Sequence, residues 1–136
     1  MMEQLNIDKD MHVMCIQASS FPHGVLEAHQ QLHAQIADKA SRQFVGISYR
    51  DANQQIIYKA GVEMLQGEEL LPGTEVFEIK KGIYLSEFIS NFRRDVQVIG
   101  KTFTEMLKHP SLDPTGYCLE YYVGENDVRC MVPLKE

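Results

Sequence analysis

The sequence predicts an α+β fold made of two β-α-β-β repeats. Each half of the chain contains one helical stripe of apolar residues, and β-rich runs surround that stripe in the same order in both halves. Two such repeats can pair into one antiparallel sheet with both helices on one face. The other face is then expected to curve into a groove between the two halves.

The first repeat begins with residues 11–18 (MHVMCIQA), a short and mostly apolar run that is followed by turn residues and is typical of a strand. From Val25, apolar residues recur at three- and four-residue steps, which predicts a helix that ends near Ser41. The β-rich runs at 44–49 and 55–64 flank RDANQ, whose Asp and Asn residues favour a hairpin turn.

The second repeat follows the same order. Residues 75–89 (EVFEIKKGIYLSEFI) predict one long strand that is interrupted at Gly82, where a bulge is expected. A helical stripe then runs from Val96 to Leu107, and Pro110 stops it because proline restricts the residue before it. The runs YCLEYYV and VRCMVPL predict a closing hairpin that turns at GEND.

At 136 residues the chain has the length of one domain. We expect residues 1–9 to form an N-terminal tail and residues 10–136 to form a single domain, with repeats over about 11–66 and about 74–136. The segment LQGEELLPGT between the repeats contains two glycines and a proline, which is typical of a connector.

The charge balance argues against a nucleic-acid-binding protein. Thirteen Lys and Arg residues against nineteen Asp and Glu residues give a net charge of -6, the wrong sign for binding phosphate backbones. The three cysteines form no CxxC pair, which favours reduced thiols and a cytoplasmic location. Because charges break every apolar stretch and the N-terminus has no basic or apolar region, we expect neither export nor a membrane span.

Two histidines of the first predicted helix have a spacing found in metal sites. His29 and His33 lie four residues apart on the predicted helix, the spacing at which two imidazoles can share a metal ion. The sequence indicates no third ligand, so we predict neither a metal site nor a cofactor.

Glu120 is a carboxylate inside a run that is otherwise suited to a buried strand. When Val45 is aligned with Leu119, the two repeats share an alternation of large apolar residues with small or polar ones. One face holds the residues predicted to pack under the helices, which are Val45, Ile47, Tyr49, Leu119, Tyr121 and Val123. The other face is predicted to line the groove with Gly46, Ser48, Glu120 and Tyr122.

The register of the closing hairpin completes this prediction. A turn through the two central residues of GEND places Glu120 across from Met131, and Tyr122 across from Arg129. Arg129 is then a diagonal neighbour of Glu120, so an ion pair between them is a purely structural alternative to a ligand-binding role.

The order of the repeats and three short motifs resemble the GyrI-like small-molecule-binding domain. The motifs are GIY at 82–84, LEYY at 119–122 and VPLK at 132–135, and the resemblance covers the chain from about Asp10 to Glu136. That domain is also the effector-binding part of MerR- and AraC-type multidrug-responsive regulators. The resemblance implies a pseudo-twofold domain whose central cleft binds amphipathic, often cationic, aromatic compounds.

The resemblance also implies which residues form the site. The acidic residue of the family's Glu-x-Tyr signature falls on Glu120 with Tyr122, and its Gly-x-Tyr motif falls on Gly82 and Tyr84. No helix-turn-helix motif precedes the domain in this sequence, so we expect no DNA-binding half in this chain.

The leading hypothesis is a stand-alone sensor or sequestering module for amphipathic, cationic or aromatic, drug-like molecules. Glu120 is the expected counter-charge, and Tyr122 adds an aromatic face. Tyr84 and Phe88 share one face of their strand and are candidate lining residues, although the opposite face is equally apolar. The other predicted ligand-binding residues are Met131, Gly46, Ser48 and Arg129.

Two alternatives stay open. Some members of the family resemble hydrolases of reactive electrophiles, for which Glu120 is the candidate general base. The third hypothesis is an interaction protein whose partner is gyrase or a separate regulator. We expect binding rather than catalysis, and the sequence leaves the oligomeric state open.

Overall fold

The computed structural model describes residues 2–135 and confirms the α+β class, with two α-helices and eight strands that pair antiparallel. The strands are β1 (Glu3–Ile7), β2 (Met11–Gln17), β3 (Phe44–Arg50), β4 (Ile56–Glu63), β5 (Glu75–Ile79), β6 (Gly82–Ile89), β7 (Cys118–Val123) and β8 (Asp127–Pro133), and the helices are α1 (Val25–Ala34) and α2 (Gln97–Met106). Neither helix of the described residues is long and apolar enough to cross a bilayer.

The chain divides into two units, and each contains one helix and four antiparallel strands. The first unit is Asp10–Lys80, with the strand order β3-β4-β2-β5. The second unit joins the residues up to Lys9 to those from Lys81 onward, with the strand order β1-β6-β8-β7. Each unit therefore contains one β-α-β-β repeat in the predicted order, together with one additional edge strand.

The two edge strands are exchanged between the repeats. β1 precedes the first repeat in the chain but pairs with β6, the first strand of the second repeat. β5 precedes the second repeat but pairs with β2, the first strand of the first repeat. Residues 1–9, expected to be a tail, thus contain a strand, in which Gln4 and Asn6 are exposed while Leu5 and Ile7 are half-buried.

The long strand expected at 75–89 is wrong, because the structure divides it into β5 and β6. A bulge leaves a strand paired with the same neighbour on both sides of the extra residue. Here the neighbours differ, because β5 pairs with β2, whereas β6 pairs with β1 and β8. Gly82 begins β6 with φ = +139°, a backbone conformation that residues with a side chain rarely adopt. The glycine therefore marks the boundary between two units.

In the first unit, α1 covers the sheet face that carries Phe44 and Tyr58. Ala28 and Leu32 are the buried residues of the helix, four positions apart on one stripe. The ring of His33 stacks on Phe44 with centroids 4.0 Å apart. These contacts fix which face of the first unit's sheet lies under a helix.

The helix α1 is shorter than the sequence predicts, since it ends at Ala34 and not near Ser41. The backbone N–H groups of Gln35 and Ile36 each bond to the carbonyl three residues back, which tightens and ends the helix. A separate turn of 3₁₀ helix follows at Lys39–Ser41. The apolar stripe continues through this turn, which is why the pattern alone predicted one longer helix.

In the second unit, α2 packs its Phe103 and Met106 onto the face of the sheet that carries Cys130. Both helix residues and Cys130 are buried. The other buried members of this cluster are Leu85, Phe92, Val128, Val132 and Leu134. Pro110, predicted to stop this helix, lies shortly after its last residue, Met106.

Candidate functional site

The turn that closes the β7–β8 hairpin has three residues and not two. Val123 pairs with Asp127, so Gly124, Glu125 and Asn126 form the turn, and Gly124 has φ = +61°. The predicted two-residue turn is therefore wrong. A slip of one residue moves every side chain of a strand to the opposite face relative to its partner.

This register changes the neighbours of the Glu-x-Tyr pair. Glu120 lies opposite Cys130 and Tyr122 lies opposite Val128, whereas the predicted partners Met131 and Arg129 are wrong. Leu119 and Tyr121 take those positions instead. Since Cys130 and Val128 belong to the cluster beneath α2, Glu120 and Tyr122 lie on the helix-covered face.

The residues of β7 that were predicted to pack under a helix lie on the face of the sheet away from α2. Leu119 and Tyr121 were expected to pack under a helix, but they lie on the face opposite α2 together with Met131. Leu119 and Met131 are nevertheless buried, so the sheet of the second unit is buried on both faces. In the first unit, Val45 likewise lies on the face away from α1, across from Gly61.

Glu120 and Tyr122 contact each other directly. The Tyr122 hydroxyl donates a hydrogen bond to Oε1 of Glu120, and both side chains are half-buried. The Tyr122 ring also lies against Phe92, with centroids 6.0 Å apart and an angle of 42° between the ring planes. The carboxylate is thus oriented by a phenol that is itself held by the α2 cluster.

The buried thiol of Cys130 lies opposite Glu120 on the neighbouring strand. Burial raises the pKa of Cys130, and the charges of Glu120 and Glu87 raise it further. The Cys130 thiol therefore stays protonated near neutral pH and is not a nucleophile. The chemistry that this face offers is that of a carboxylate, a phenol and aromatic rings.

Arg129, the expected structural partner of Glu120, is engaged elsewhere. Its Nη1 donates to Oε1 of Glu3 at 2.9 Å and to Oγ of Ser86 at 2.9 Å. Its guanidinium carbon lies 5.4 Å from the centroid of the Phe88 ring. The alternative in which Arg129 holds Glu120 is therefore wrong, and the carboxylate is not explained by that ion pair.

The other predicted site residues of the second unit lie on the opposite face. Tyr84 is buried, and its hydroxyl lies 2.6 Å from that of Tyr117. Met131 is buried, while Phe88 is 42% exposed. Within this unit the structure brings together only Glu120 and Tyr122 from the predicted set, and it does not place Tyr84, Phe88, Met131 or Arg129 beside them.

Gly46 and Ser48 lie on the helix-covered face of the first unit, as Glu120 and Tyr122 do in the second. Gly46 pairs with Ala60, and Ser48 pairs with Tyr58. Gly46 is buried and Ser48 is half-buried. The alignment of the two repeats therefore grouped residues that lie on the same kind of face, although it assigned the helices to the wrong face.

An aromatic surface that the sequence analysis missed lies beside Ser48 in the first unit. The Phe21 ring stacks on Tyr58 with centroids 6.0 Å apart, and Phe21 is 44% exposed. His29 Nε2 lies 2.8 Å from the Tyr58 hydroxyl. Tyr58 lies in β4 and Phe21 lies in the segment between β2 and α1, so no local periodicity in the sequence links the two aromatic residues.

The two helix histidines each contact an aromatic residue of the sheet. His29 bonds to Tyr58, and His33 stacks on Phe44. Burial, with the charge of Lys39, lowers the pKa of His33 and keeps its imidazole neutral at neutral pH. Among residues 2–135, no group of three or more His, Cys, Asp or Glu residues is arranged to hold a metal ion.

The sequence matches no protein-family model and no curated protein. Solved structures do share the fold. An integron cassette protein from the mobile metagenome of Vibrio cholerae is 15% identical with a TM-score of 0.71, and the alignment covers 98% of this chain and 95% of that chain. A hydrolase from Listeria innocua is 10% identical with a TM-score of 0.63 and coverage of 98% and 91%.

A third structure carries a ligand. SAV2435 bound to tetraphenylphosphonium is 8% identical to this chain with a TM-score of 0.68, and the alignment covers 99% of this chain and 94% of that chain. At these identities the similarity establishes the fold alone. The protein therefore belongs to a class of small α+β proteins with two β-α-β-β repeats, and this class includes a protein solved with a bound organic cation.

Proposed function

We propose that this protein is a GyrI-like domain that binds amphipathic organic cations, with Glu120 as the counter-charge. The observation that carries the proposal is the pair formed by Glu120 and Tyr122 on the helix-covered face of the second unit. SAV2435, which shares the fold, was solved with tetraphenylphosphonium, a lipophilic cation with four phenyl rings. The chemistry of the pair suits a ligand of that kind.

The physical reason lies in the cost of a partly buried carboxylate. Removing water from an ionised carboxylate is unfavourable unless a cation or hydrogen-bond donors compensate. Tyr122 supplies one donor to Glu120. A lipophilic cation adds the opposite charge, and its apolar groups can contact the half-buried ring of Tyr122, with each good cation–π contact contributing roughly 0.5–2 kcal/mol.

The proposed role is a stand-alone sensor or sequestering module. Gly46 and Ser48 remain proposed lining residues. They lie on the helix-covered face of the first unit, and Glu120 and Tyr122 lie on the helix-covered face of the second unit. A cytoplasmic location and a protein partner, such as a regulator or gyrase, remain predictions. The charge of -6 for the whole chain adds a weak general attraction for cations.

Isothermal titration calorimetry with tetraphenylphosphonium tests the proposal. We expect saturable binding by the unchanged protein and a loss of about tenfold or more in Glu120→Gln, which corresponds to about 1.4 kcal/mol. Tyr122→Phe removes only the hydroxyl that orients the carboxylate, so a smaller loss is expected.

The matched control is Glu125→Gln in the β7–β8 turn, which changes the net charge by the same amount away from the site. It should bind as the unchanged protein does. Equal binding by Glu120→Gln and the unchanged protein would remove Glu120 from the site, and no binding of any lipophilic cation would reject the proposed function.

Hydrolysis is a second candidate function, because a hydrolase from Listeria innocua shares the fold. Glu120 is the candidate general base for a water, oriented by Tyr122. Incubation with styrene oxide as an electrophilic probe, followed by chromatography, distinguishes the two functions. Diol formation that disappears in Glu120→Gln favours hydrolysis, whereas stoichiometric uptake without product favours binding alone.

A further inference from the structure

The strands β1 and β5 each have a single strand neighbour among residues 2–135. β1 pairs with β6, and β5 pairs with β2. The second side of an edge strand presents backbone N–H and C=O groups that can pair with another chain, and proteins normally protect such edges with charges, proline or bulges. The two edges of this protein differ in that protection.

The edge at β5 is protected by charge. Glu75, its first residue, pairs with Lys59, and Glu78 pairs with both His12 and Lys80. Charged residues directly follow both edge strands, Lys80 and Lys81 after β5 and Asp8, Lys9 and Asp10 after β1, so the difference between the edges lies within the strands. Another strand approaching β5 would have to accommodate charges of both signs.

The edge at β1 lacks such protection. Its residues 4–7 (QLNI) carry no charge and no proline, and Gln4 and Asn6 are exposed. The single charged residue of the strand, Glu3, is paired with Arg129. No backbone hydrogen bond other than those of the β1–β6 ladder involves residues 3–7 in the described part of the chain.

β1 is also held in an extended conformation before any partner arrives. Five residue pairs join it to β6, from Glu3 with Ser86 to Ile7 with Gly82. Arg129 adds a tie from two strands away, since it bonds to both Glu3 and Ser86. A strand that is already ordered loses little conformational entropy when it pairs again.

We propose that the open edge of β1 pairs antiparallel with β1 of a second copy of this chain. A twofold axis at Leu5 places Leu5 opposite Leu5 of the second copy, and Gln4 opposite Asn6 of the second copy. No two like charges are then opposite each other within the strand. The Asn6 amide nitrogen donates to Oδ1 of Asp8 at 3.0 Å, so its amide oxygen is the group that can accept from the Gln4 amide of the second copy. The contact is isologous and closes after two copies.

The pattern favours a second copy over an unrelated extended peptide because β1 is complementary to itself about Leu5. An edge of five residues buries much less than the roughly 1,200–2,000 Å² of a standard stable interface. The dimer is therefore weak and concentration-dependent. The net charge of -6 on each copy opposes it further at low salt.

Sedimentation velocity from micromolar to near-millimolar protein tests the proposal, combined with a charge-swap pair. Gln4→Lys/Asn6→Lys places lysine opposite lysine twice in the proposed register, and Gln4→Glu/Asn6→Glu does the same with carboxylates. Self-association of each double variant alone is expected to be weakened by about tenfold or more. An equimolar mixture of the two is expected to restore the dimer, because unlike charges then meet.

Val76→Lys on the exposed part of β5 is the matched control and should leave dimer formation unchanged. Circular dichroism confirms that the variants fold, since both substituted side chains of β1 are exposed. The proposal is overturned if the unchanged protein stays monomeric throughout, if the lysine variant dimerises as strongly as the unchanged protein, or if the mixture associates no more strongly than either variant alone.

Discussion

Glu3 and Arg129 form a 2.9 Å ion pair between residues 126 positions apart in the chain. Glu3 is the first residue of the edge strand β1, and Arg129 lies on β8, two strands away. The side chain of Arg129 crosses β6 and donates to the hydroxyl of Ser86 on the way. One arginine thus connects three neighbouring strands of the second unit.

The first unit contains the same arrangement. Glu75 is the first residue of the edge strand β5, and it pairs with Lys59 on β4, two strands away. The Lys59 ammonium lies 5.5 Å from the centroid of the Tyr49 ring and 5.7 Å from that of Phe77. Arg129 is likewise placed over an aromatic ring, so both repeats attach their exchanged edge strand by a glutamate and a cation packed on an aromatic residue.

Replacing Arg129 by methionine should destabilise the second unit while keeping the apolar stem over Phe88. Ser86 is fully buried, and the substitution removes the donor to its hydroxyl, so we expect a loss of about 1–3 kcal/mol. Denaturant unfolding measures the loss, and hydrogen exchange should show faster exchange of β1 amides. Glu3→Gln is the matched control, with a small effect because Glu3 is largely exposed. Equal effects of the two substitutions would contradict the role given to Ser86.

The order of elements was predictable because local periodicity determines it. The alternation in β3 and the apolar stripe of α2 are short-range patterns, and both elements form within a residue or two of the expected positions. β1 was missed although EQLNI alternates, because five residues next to a charged stretch are a weak signal. The ion pair of Glu3 with Arg129 has no local signal at all.

The sequence predicted the pair formed by Glu120 and Tyr122, but it did not predict which residues surround that pair. Glu120 was singled out as a carboxylate in an apolar strand, and the structure places it in contact with Tyr122. The helix-covered face could not be chosen by polarity, since Leu119 on one face and Cys130 on the other are both completely buried. One extra turn residue, with Gly124 at positive φ, then decided the register.

Two glycine substitutions should change stability in opposite directions. A Cβ at Gly61 would lie 2.9 Å from Val45 Cγ2 and 3.1 Å from Cys15 Sγ, so Gly61→Ala should cost about 1–3 kcal/mol by overpacking. A Cβ at Gly100, inside α2, meets no atom within 4 Å, so Gly100→Ala should stabilise by about 0.5–1 kcal/mol. Thermal unfolding of both variants checks the prediction, and a stabilised Gly61→Ala would show that the packing between β3 and β2 is looser than described.

Acid should weaken the attachment of the segment that follows β4. Arg42 donates two hydrogen bonds to Glu68, at 2.8 and 2.6 Å, and these with the Leu65 amide hold the pKa of Glu68 below its ordinary value of 4.5. A lowered pKa contributes stability that is present above the ordinary value and is lost as the pH falls through the folded-state pKa. Glu68→Gln should therefore reduce the dependence of the melting temperature on pH in the acid range. The neighbouring Glu69→Gln is the control, and equal pH profiles for Glu68→Gln and the unchanged protein would contradict this assignment.

The three cysteines should react in a fixed order. Burial raises the pKa of Cys15 to about 12, and burial with the charges of Glu120 and Glu87 raises the pKa of Cys130, whereas Cys118 is only half-buried. A rise from 9.0 to about 12 lowers the thiolate fraction of Cys15 roughly a thousandfold at a given pH. Iodoacetamide at mildly alkaline pH should therefore modify Cys118 first, and Cys15 and Cys130 only after unfolding in guanidinium. Peptide mass spectrometry gives the site of each modification. Reaction of Cys130 in the folded protein as fast as Cys118 would mean that α2 does not cover the face on which Glu120 lies.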